Sequence, residues 1–325
     1  MRVWQCTGLN VTGVGGVEKH IAEVSAGLRR LKHEVHIGPE LPENWIFSES
    51  QERLIVHTHG DFWPNPIKFR KHRKALCWIH VCHGTSLGRV VACREFLSIS
   101  GWRGSITDFL PTRFADAAIA VGQNALEEAR RYFKLKLPAA VIRNGADPTV
   151  FAPLKQIHLK PNLIYVGRSS DRVKNVPAML EACAAVYAVQ PSLQLQSAPG
   201  IDYDHEIYPF VKNLGPLGAP ALAEALAKCR TLLLCSLYEG DPIVLHEAQA
   251  MGLPVVVSDI PQIRSTLKNY TNALFVNPRN VDSIAFGIKS ALFGLAPSPL
   301  PIIRDWTQVA REFTAFYETV FKASK

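Results

Sequence analysis

The sequence lacks the marks of a membrane-spanning, exported or disulfide-stabilised protein. No apolar run approaches the ~20 residues needed to cross a bilayer. The first residues, MRVWQCTGLN, contain neither a hydrophobic signal core nor a cleavage site. The seven cysteines form no C-x-x-C pair, and their odd number argues against a disulfide framework. We therefore expect a mature cytoplasmic protein with reduced thiols.

Acidic residues are in the minority, and the imbalance is local. The chain carries a net charge of +8, and residues 61–140 contain thirteen Lys and Arg against six Asp and Glu, so 13 − 6 = +7 lies there. The densest part is KFRKHRK, residues 68–74. Such a patch can face an anionic membrane or a phosphorylated ligand, or can be a solvated surface. Because no nucleic-acid motif accompanies it, we expect no nucleic-acid partner.

The order of strand and helix patterns predicts two domains. At 325 residues the chain is long for a single core. Short β-rich runs alternate with helical stretches throughout, which is typical of βαβ units and parallel sheets. Turn residues and prolines gather at residues 144–156. We predict an α/β protein with two Rossmann-like, doubly wound domains, residues 1–150 and 151–304, facing a central cleft.

Two glutamates stand in one stretch, YEGDPIVLHEAQAMGLPVVVSD, residues 238–259. Glu239 precedes a predicted helix with Asp241 as its N-cap, and Glu247 lies inside that helix. The free amides and the positive end of the helix dipole make an anion site. Two acids beside it suit the hydroxyl groups of a ligand that also carries phosphates, such as a sugar nucleotide. The spacing alone also fits an ordinary pair of surface acids.

The same stretch resembles the signature of the retaining GT-B glycosyltransferases, family 4. It has two Glu separated by seven residues, a Gly after the first, and an EA-x-A-x-G-x-P-V-V tail. The resemblance covers nearly the whole chain. It implies that Glu239 is catalytic and binds sugar hydroxyls, that Gly240 contacts the donor diphosphate, and that Glu247 binds the ribose. Asp241 is a departure, since the family usually has an aromatic or aliphatic residue there.

The resemblance also implies a division of labour between the two domains. The second domain would bind the nucleotide sugar. The first would bind the acceptor, and the last helix, about residues 305–325, would cross back to it.

The stretch YVGRSSDRVKN, residues 165–175, resembles the phosphate loop of the same family. The resemblance implies that Arg168 and Lys174 hold the donor diphosphate, with Asn175 favouring Lys174 over Arg172. A departing nucleoside diphosphate develops negative charge, which fixed cations stabilise in the absence of a metal. Two cations six residues apart are otherwise common surface features.

The glycine-rich stretch TGVGGVEKH, residues 12–20, follows the first predicted strand. By resemblance, Gly15 and Gly16 allow close approach of the backbone to the donor diphosphate and the acceptor. A dinucleotide fingerprint is the rival interpretation, but it requires glycine where Glu18 stands. A simple strand-to-helix turn also fits the pattern.

Four histidines cluster in HTHG and HVCHG, namely His57, His59, His80 and His83. No cysteine or carboxylate falls at a matching interval, and the two pairs belong to different strands, so we predict no metal site. The acidic pair in DYD, residues 202–204, lacks the context of a metal-dependent GT-A transferase. By resemblance, His83 is catalytic and faces the donor sugar, and His59 is more structural.

Taken with these observations, the resemblance implies a retaining, metal-independent glycosyltransferase without a cofactor. The donor would be a UDP-sugar, or GDP-mannose as the next choice, and the acceptor a hydroxyl of a glycan or lipid-linked glycan. Cell-surface polysaccharide or lipopolysaccharide synthesis would be its setting, with residues 68–74 touching the inner face of an anionic membrane. A transferase acting on a soluble small molecule, a sugar-nucleotide epimerase and a non-catalytic GT-B binding module are open alternatives.

Overall fold

The structure is a computed structural model that divides into two compact units. Unit 1 comprises Met1–Asn144 and Asp305–Lys325, and unit 2 comprises Gly145–Arg304. The division falls a few residues before the boundary predicted at residue 150. The residues described are 1–11, 15–42, 45, 54–59, 76–97, 99–155, 160–294 and 303–323. The basic stretch at 68–74 and the start of the glycine-rich loop lie outside them.

Unit 1 is built on a parallel sheet of six strands. The strands are β1 (Arg2–Cys6), β2 (Glu34–Gly38), β3 (Leu54–His59), β4 (Leu76–Cys82), β5 (Ala117–Ala120) and β6 (Ala139–Val141). Their order in the sheet is β2-β1-β3-β4-β5-β6. The described helices are α1 (Gly16–Arg30), α2 (Ser86–Cys93), α3 (Ile99–Phe114), α4 (Gln123–Phe133) and α10 (Trp306–Ala323).

Helix α1 shows how the apolar pattern builds this unit. Ile21, Val24 and Leu28 recur at helical spacing and are fully buried. Helix α1 packs against α10, and a Cβ atom at Gly27 would lie 2.7 Å from the carbonyl oxygen of Trp306. Glycine at this position therefore lets the two helices approach closely. The last helix of the chain thus belongs to unit 1.

Unit 2 contains a second parallel sheet of six strands. They are β7 (Asn162–Val166), β8 (Gln194–Ala198), β9 (Val211–Asn213), β10 (Thr231–Leu234), β11 (Val255–Ser258) and β12 (Ala273–Val276), in the order β12-β11-β10-β7-β8-β9. The helical elements are a 3₁₀ turn (Arg172–Lys174), α5 (Val176–Tyr187), α6 (Ala219–Ala227), α7 (Ile243–Met251), α8 (Pro261–Thr266) and α9 (Val281–Gly294).

Each sheet has a point where its strand order reverses. In unit 1 the chain proceeds from β1 to β2 on one side and to β3 on the other; in unit 2, β7 lies between β8 and β10. The connections at such a point leave opposite faces of the sheet and open a crevice at the carboxyl ends of the strands. The predicted α/β, doubly wound architecture is confirmed for both units. No described helix is both long and apolar enough to cross a membrane.

Candidate functional site

The crevice of unit 2 holds a lysine–glutamate pair. Lys174 follows β7 and Glu239 follows β10, the two strands that flank the reversal. Lys174 Nζ donates a hydrogen bond to Glu239 Oε1 at 2.7 Å, and the two side chains are 21% and 9% exposed. Arg168 is exposed on the same loop as Lys174. Two predicted site residues from distant parts of the sequence therefore meet, with a third on the connecting loop.

Asn175 fixes the loop that carries Lys174. Its backbone has a φ of 56°, a left-handed conformation that asparagine tolerates better than most residues. Its side-chain amide donates to the carbonyl oxygens of Cys235 at 3.1 Å and Pro278 at 2.7 Å, which follow β10 and β12. The amide of Leu237 also donates to the carbonyl of Val173 at 2.7 Å. These bonds connect the loop after β7 to the residues that follow β10 and β12. They thereby fix the position of the backbone that carries the Lys174 ammonium group.

Tyr165 is a residue of this crevice that the sequence did not single out. It is fully buried at the end of β7. Burial raises the pKa of its hydroxyl, and the carboxylates of Glu239 and Asp171 raise it further, so the phenol stays protonated at neutral pH. A Cβ atom at Gly167 would lie 2.7 Å from the Tyr165 hydroxyl. The glycine of the VGR motif therefore makes room for the tyrosine.

Glu247 and Gly240 lie at the helix that follows Glu239. Glu247 is 2% exposed and sits about one turn into α7. Gly240 is half-buried in the loop that leads to the helix. Gly252, with a φ of 70°, ends the helix after Met251, as the left-handed C-terminal position requires.

The prediction that Asp241 caps this helix is wrong. Helix α7 begins at Ile243 with Pro242 in the capping position, and no side chain caps it. Asp241 Oδ1 instead accepts a hydrogen bond from Thr266 Oγ1 at 2.8 Å, and its Oδ2 lies 2.9 Å from His246 Nε2. Asp241 and Thr266 are buried and His246 is partly buried, so their mutual hydrogen bonds take precedence over capping. The carboxylate is engaged inside unit 2.

Unit 1 gathers histidines at its own crevice. His57 and His59 are two residues apart on β3 and therefore face the same side of the sheet. Gln5, on the adjacent strand β1, accepts hydrogen bonds at Oε1 from His59 Nε2 at 2.7 Å and from His57 Nδ1 at 3.2 Å. His83 follows the end of β4, and His20 projects from α1. His20 was missed in the sequence because it lies on a helix far from both histidine pairs.

The rings of His20, His59 and His83 are mutual neighbours. His59 Nδ1 lies 3.1 Å from His83 Nε2, and the centroids of His20 and His83 are 4.7 Å apart. His20 Nδ1 lies 2.7 Å from Asn144 Oδ1. Burial, followed by the neighbouring imidazoles, holds the pKa of His59 and of His83 well below the ordinary value. His83 is thus a neutral ring at pH 7, which limits it to hydrogen bonding and lone-pair interactions.

His80 lies in the core of the unit. It is 2% exposed, and its Nδ1 is 2.9 Å from Thr58 Oγ1, the side chain that also accepts a bond from Trp78 Nε1 at 2.9 Å. The register pairs Thr58 with His80 across β3 and β4. Burial lowers the pKa of His80 from 6.5 to about 4. The ring is therefore neutral and structural at pH 7.

The lowered pKa of His80 predicts that the free energy of unfolding depends on pH. His80→Gln should make this dependence weaker. Between pH 6.5 and about 4 the unfolded state binds a proton at His80 and the folded state does not, so stability falls as pH falls through this window. The contribution is at most about 3 kcal/mol. Urea unfolding of both proteins at pH 7, 5.5 and 4.5, with chelator present, measures it. If wild type and His80→Gln lost the same free energy of unfolding between pH 7 and 4.5, the assignment to His80 would be contradicted. His36→Gln, the control, should keep the pH dependence of the wild type.

Gly15 and Gly16 begin α1. Gly15 occupies the capping position with an extended backbone, and Gly16 is exposed as the first helical residue. A Cβ atom at Gly16 would meet nothing within 4 Å. Within the described residues, neither backbone strain nor crowding explains the glycine at position 16, which leaves open space at the start of the helix.

Comparison with known proteins relates this chain to glycosyltransferases. Residues 160–292 match the family model of the glycosyl transferases group 1. An uncharacterized glycosyltransferase of Methanocaldococcus jannaschii is 24% identical, over 86% of this chain and 85% of that protein. Sucrose-phosphate synthase from Thermosynechococcus elongatus has a TM-score of 0.76 at 17% identity, covering 99% of both chains. Anabaena HepE in complex with UDP and glucose has a TM-score of 0.68 at 14% identity, covering 98% of this chain and 99% of that one.

The fold is therefore that of the GT-B glycosyltransferases, with one six-stranded parallel sheet in each unit. Together with the family model, which matches unit 2, and the glycosyltransferase relative, this defines the class of the protein. It is a glycosyltransferase with the GT-B fold.

Proposed function

We propose that the protein is a retaining, metal-independent transferase of the family-4 type. It moves a sugar from a nucleotide-sugar donor to a hydroxyl group of a glycan or lipid-linked glycan. The observation that carries the proposal is the 2.7 Å contact between Lys174 and Glu239 at the reversal point of unit 2. A cation and a carboxylate side by side, with Arg168 exposed on the same loop, suit a ligand that carries both phosphates and hydroxyls.

The donor is assigned to unit 2. Arg168 and Lys174 bind the diphosphate together with the backbone at Gly240, because two cations and peptide amides neutralise the charge of the leaving group. Glu247, buried in α7, accepts hydrogen bonds from the ribose hydroxyls. Glu239 accepts them from the sugar, and its ion pair with Lys174 holds both groups in place before the donor arrives.

The transfer step requires no strong base of its own in this proposal. The bond between the anomeric carbon and the phosphate oxygen breaks, and the acceptor oxygen forms its bond on the same face. The acceptor proton passes to the departing phosphate. Glu239 is already hydrogen-bonded to Lys174, which favours an orienting role over proton abstraction. His83, as a neutral ring, orients the sugar and interacts with developing positive charge through a lone pair.

Two further assignments concern donor identity and the acceptor. A UDP-sugar is the first choice, supported by the solved relative that holds UDP and glucose, and GDP-mannose is the next. The acceptor is assigned to unit 1. There the open space at Gly16, next to Gly15, leaves room for a phosphate or an acceptor group near the first turn of α1.

A nucleotide-binding panel tests the donor assignment. UDP, GDP, ADP, dTDP and CMP are titrated calorimetrically into the wild-type protein and the variants Glu247→Ala and Arg168→Ala. One nucleotide should bind, and each variant should weaken it about 10- to 100-fold, because each removes a hydrogen bond to a charged group. Glu181→Ala, an exposed acid on α5 of the same unit, is the control.

Two outcomes of the panel would contradict the proposal. One is that no nucleotide binds; the other is that both variants bind as tightly as the wild type. A second assay separates transfer from epimerisation. Nucleoside diphosphate should be released from the donor only after an acceptor is added.

A further inference from the structure

Three histidines of unit 1 converge on one point. One ring nitrogen from each of His20, His59 and His83 lies within 4.8 Å of the other two. His59 Nδ1 and His83 Nε2 are 3.1 Å apart. In a tetrahedral zinc site with Zn–N bonds of about 2.0–2.1 Å, the ligand nitrogens are about 3.3 Å apart. One pair already has about this spacing, and the third nitrogen lies within 4.8 Å of both.

The hydrogen bonds around the rings select the nitrogens that point inward. The carbonyl oxygen of Gln5 accepts from His59 Nε2 at 2.7 Å, so Nδ1 carries the lone pair of His59. Asn144 Oδ1 accepts from His20 Nδ1 at 2.7 Å, which leaves the lone pair of His20 on Nε2. Metal-bound histidines characteristically donate their second ring N–H to such an oxygen, which fixes the tautomer and the ring orientation.

The surroundings also favour ligation. Metal ions bind the neutral form of imidazole, and the side-chain oxygens of Gln5 and Asn144 accept from the second ring nitrogen of His59 and His20. His20 and His59 are buried, whereas His83 is half-buried. A metal ion can therefore reach the cluster from the side of His83, and one coordination position remains for water.

We propose that His20, His59 and His83 form a site for a divalent first-row metal ion of the zinc type, with three imidazole ligands and one open position. On binding, the hydrogen bond between His59 and His83 is replaced by two metal–nitrogen bonds. The proton on His83 Nε2 moves to Nδ1, so the ring stays neutral. Sequence analysis predicted no metal site because it weighed only the pairs on β3 and β4, and His20 comes from α1.

The proposed metal site shares His83 with the transfer mechanism proposed above. The transfer step as proposed needs no metal. A metal ion held through His83 would engage the ring that is assigned there to the sugar, so the two uses exclude each other at any one time.

Zinc titration of the untagged, chelator-treated full chain tests the proposal. Calorimetry with a competing chelator should show one Zn²⁺ bound per chain. His20→Gln and His59→Gln should each weaken binding by at least about tenfold, and Asn144→Ala, which removes the hydrogen bond to His20, by about 10- to 100-fold. His36→Gln and His80→Gln, two histidines of the same unit outside the cluster, should bind Zn²⁺ as the wild type does.

X-ray absorption of the wild-type 1:1 zinc complex gives an answer that does not depend on how well any variant folds. About three imidazole nitrogens at 2.0–2.1 Å are expected. Zinc–sulfur bonds near 2.3 Å would place the ion at cysteines and overturn the proposal. So would the absence of a 1:1 complex, or unchanged binding by folded His20→Gln and His59→Gln proteins.

Discussion

Replacing Lys174 by alanine is expected to lower kcat/KM for glycosyl transfer by about 10²- to 10³-fold, the usual cost of removing a group that stabilises transition-state charge. The ammonium group lies 2.7 Å from Glu239, so the substitution removes a cation assigned to the leaving diphosphate. It also leaves the carboxylate, which is only 9% exposed, without this partner. Steady-state release of nucleoside diphosphate in the presence of acceptor measures the loss.

Arg172 supplies the matched control for this prediction. It lies on the same 3₁₀ turn, carries the same charge and is exposed. Arg172→Ala should change kcat/KM by less than about threefold, since an exposed charge contributes little unless it touches the ligand. An equal loss in both variants would assign the effect to the net charge of the loop and not to Lys174.

A double variant separates function from folding at the same position. Much of the stability lost on breaking a buried ion pair comes from the partner left behind. Lys174→Met combined with Glu239→Gln should therefore regain thermal stability relative to Lys174→Ala, while transfer stays low. Recovery of activity in the double variant would show that the pair serves the fold alone.

The sequence predicted the architecture because the relevant patterns are local. Alternating strand and helix signals require only the periodicity of neighbouring residues, and short connections then favour parallel sheets. The meeting of Lys174 with Glu239 could also be anticipated, since loops at the carboxyl ends of the two strands flanking a reversal lie close together. The family resemblance assigned both residues to the donor site, Lys174 to the diphosphate and Glu239 to the sugar, but it did not predict their direct contact.

The parts that could not be predicted depend on contacts between distant segments. Asp241 fits the preferences of an N-cap, but Thr266 and His246 provide its hydrogen bonds instead. His20 stands on a helix, and nothing in its spacing relates it to His59 or His83. Both contacts arise only when the tertiary fold brings several elements together, which local patterns do not encode.

Replacing Glu239 by glutamine is expected to lower kcat by about 10²- to 10³-fold while the Kd for UDP stays within about threefold. The amide keeps the shape of the side chain but loses the charge that accepts strong hydrogen bonds from sugar hydroxyls. UDP has no transferred sugar, so its binding should not depend on that contact. Stopped-time transfer assays and UDP calorimetry on the same protein preparation measure the two quantities.

Glu247→Gln is the matched variant with which the UDP affinity of Glu239→Gln is compared. Glu247 is buried inside α7 and is assigned to the ribose, which UDP does contain. This variant should therefore weaken UDP binding about 10- to 100-fold, unlike Glu239→Gln. If the two variants lose UDP affinity equally, Glu239 and Glu247 do not bind separate parts of the donor, the sugar and the nucleotide. If Glu239→Gln transfers at the wild-type rate, Glu239 and Lys174 form a structural ion pair, and the catalytic assignment of Glu239 is wrong.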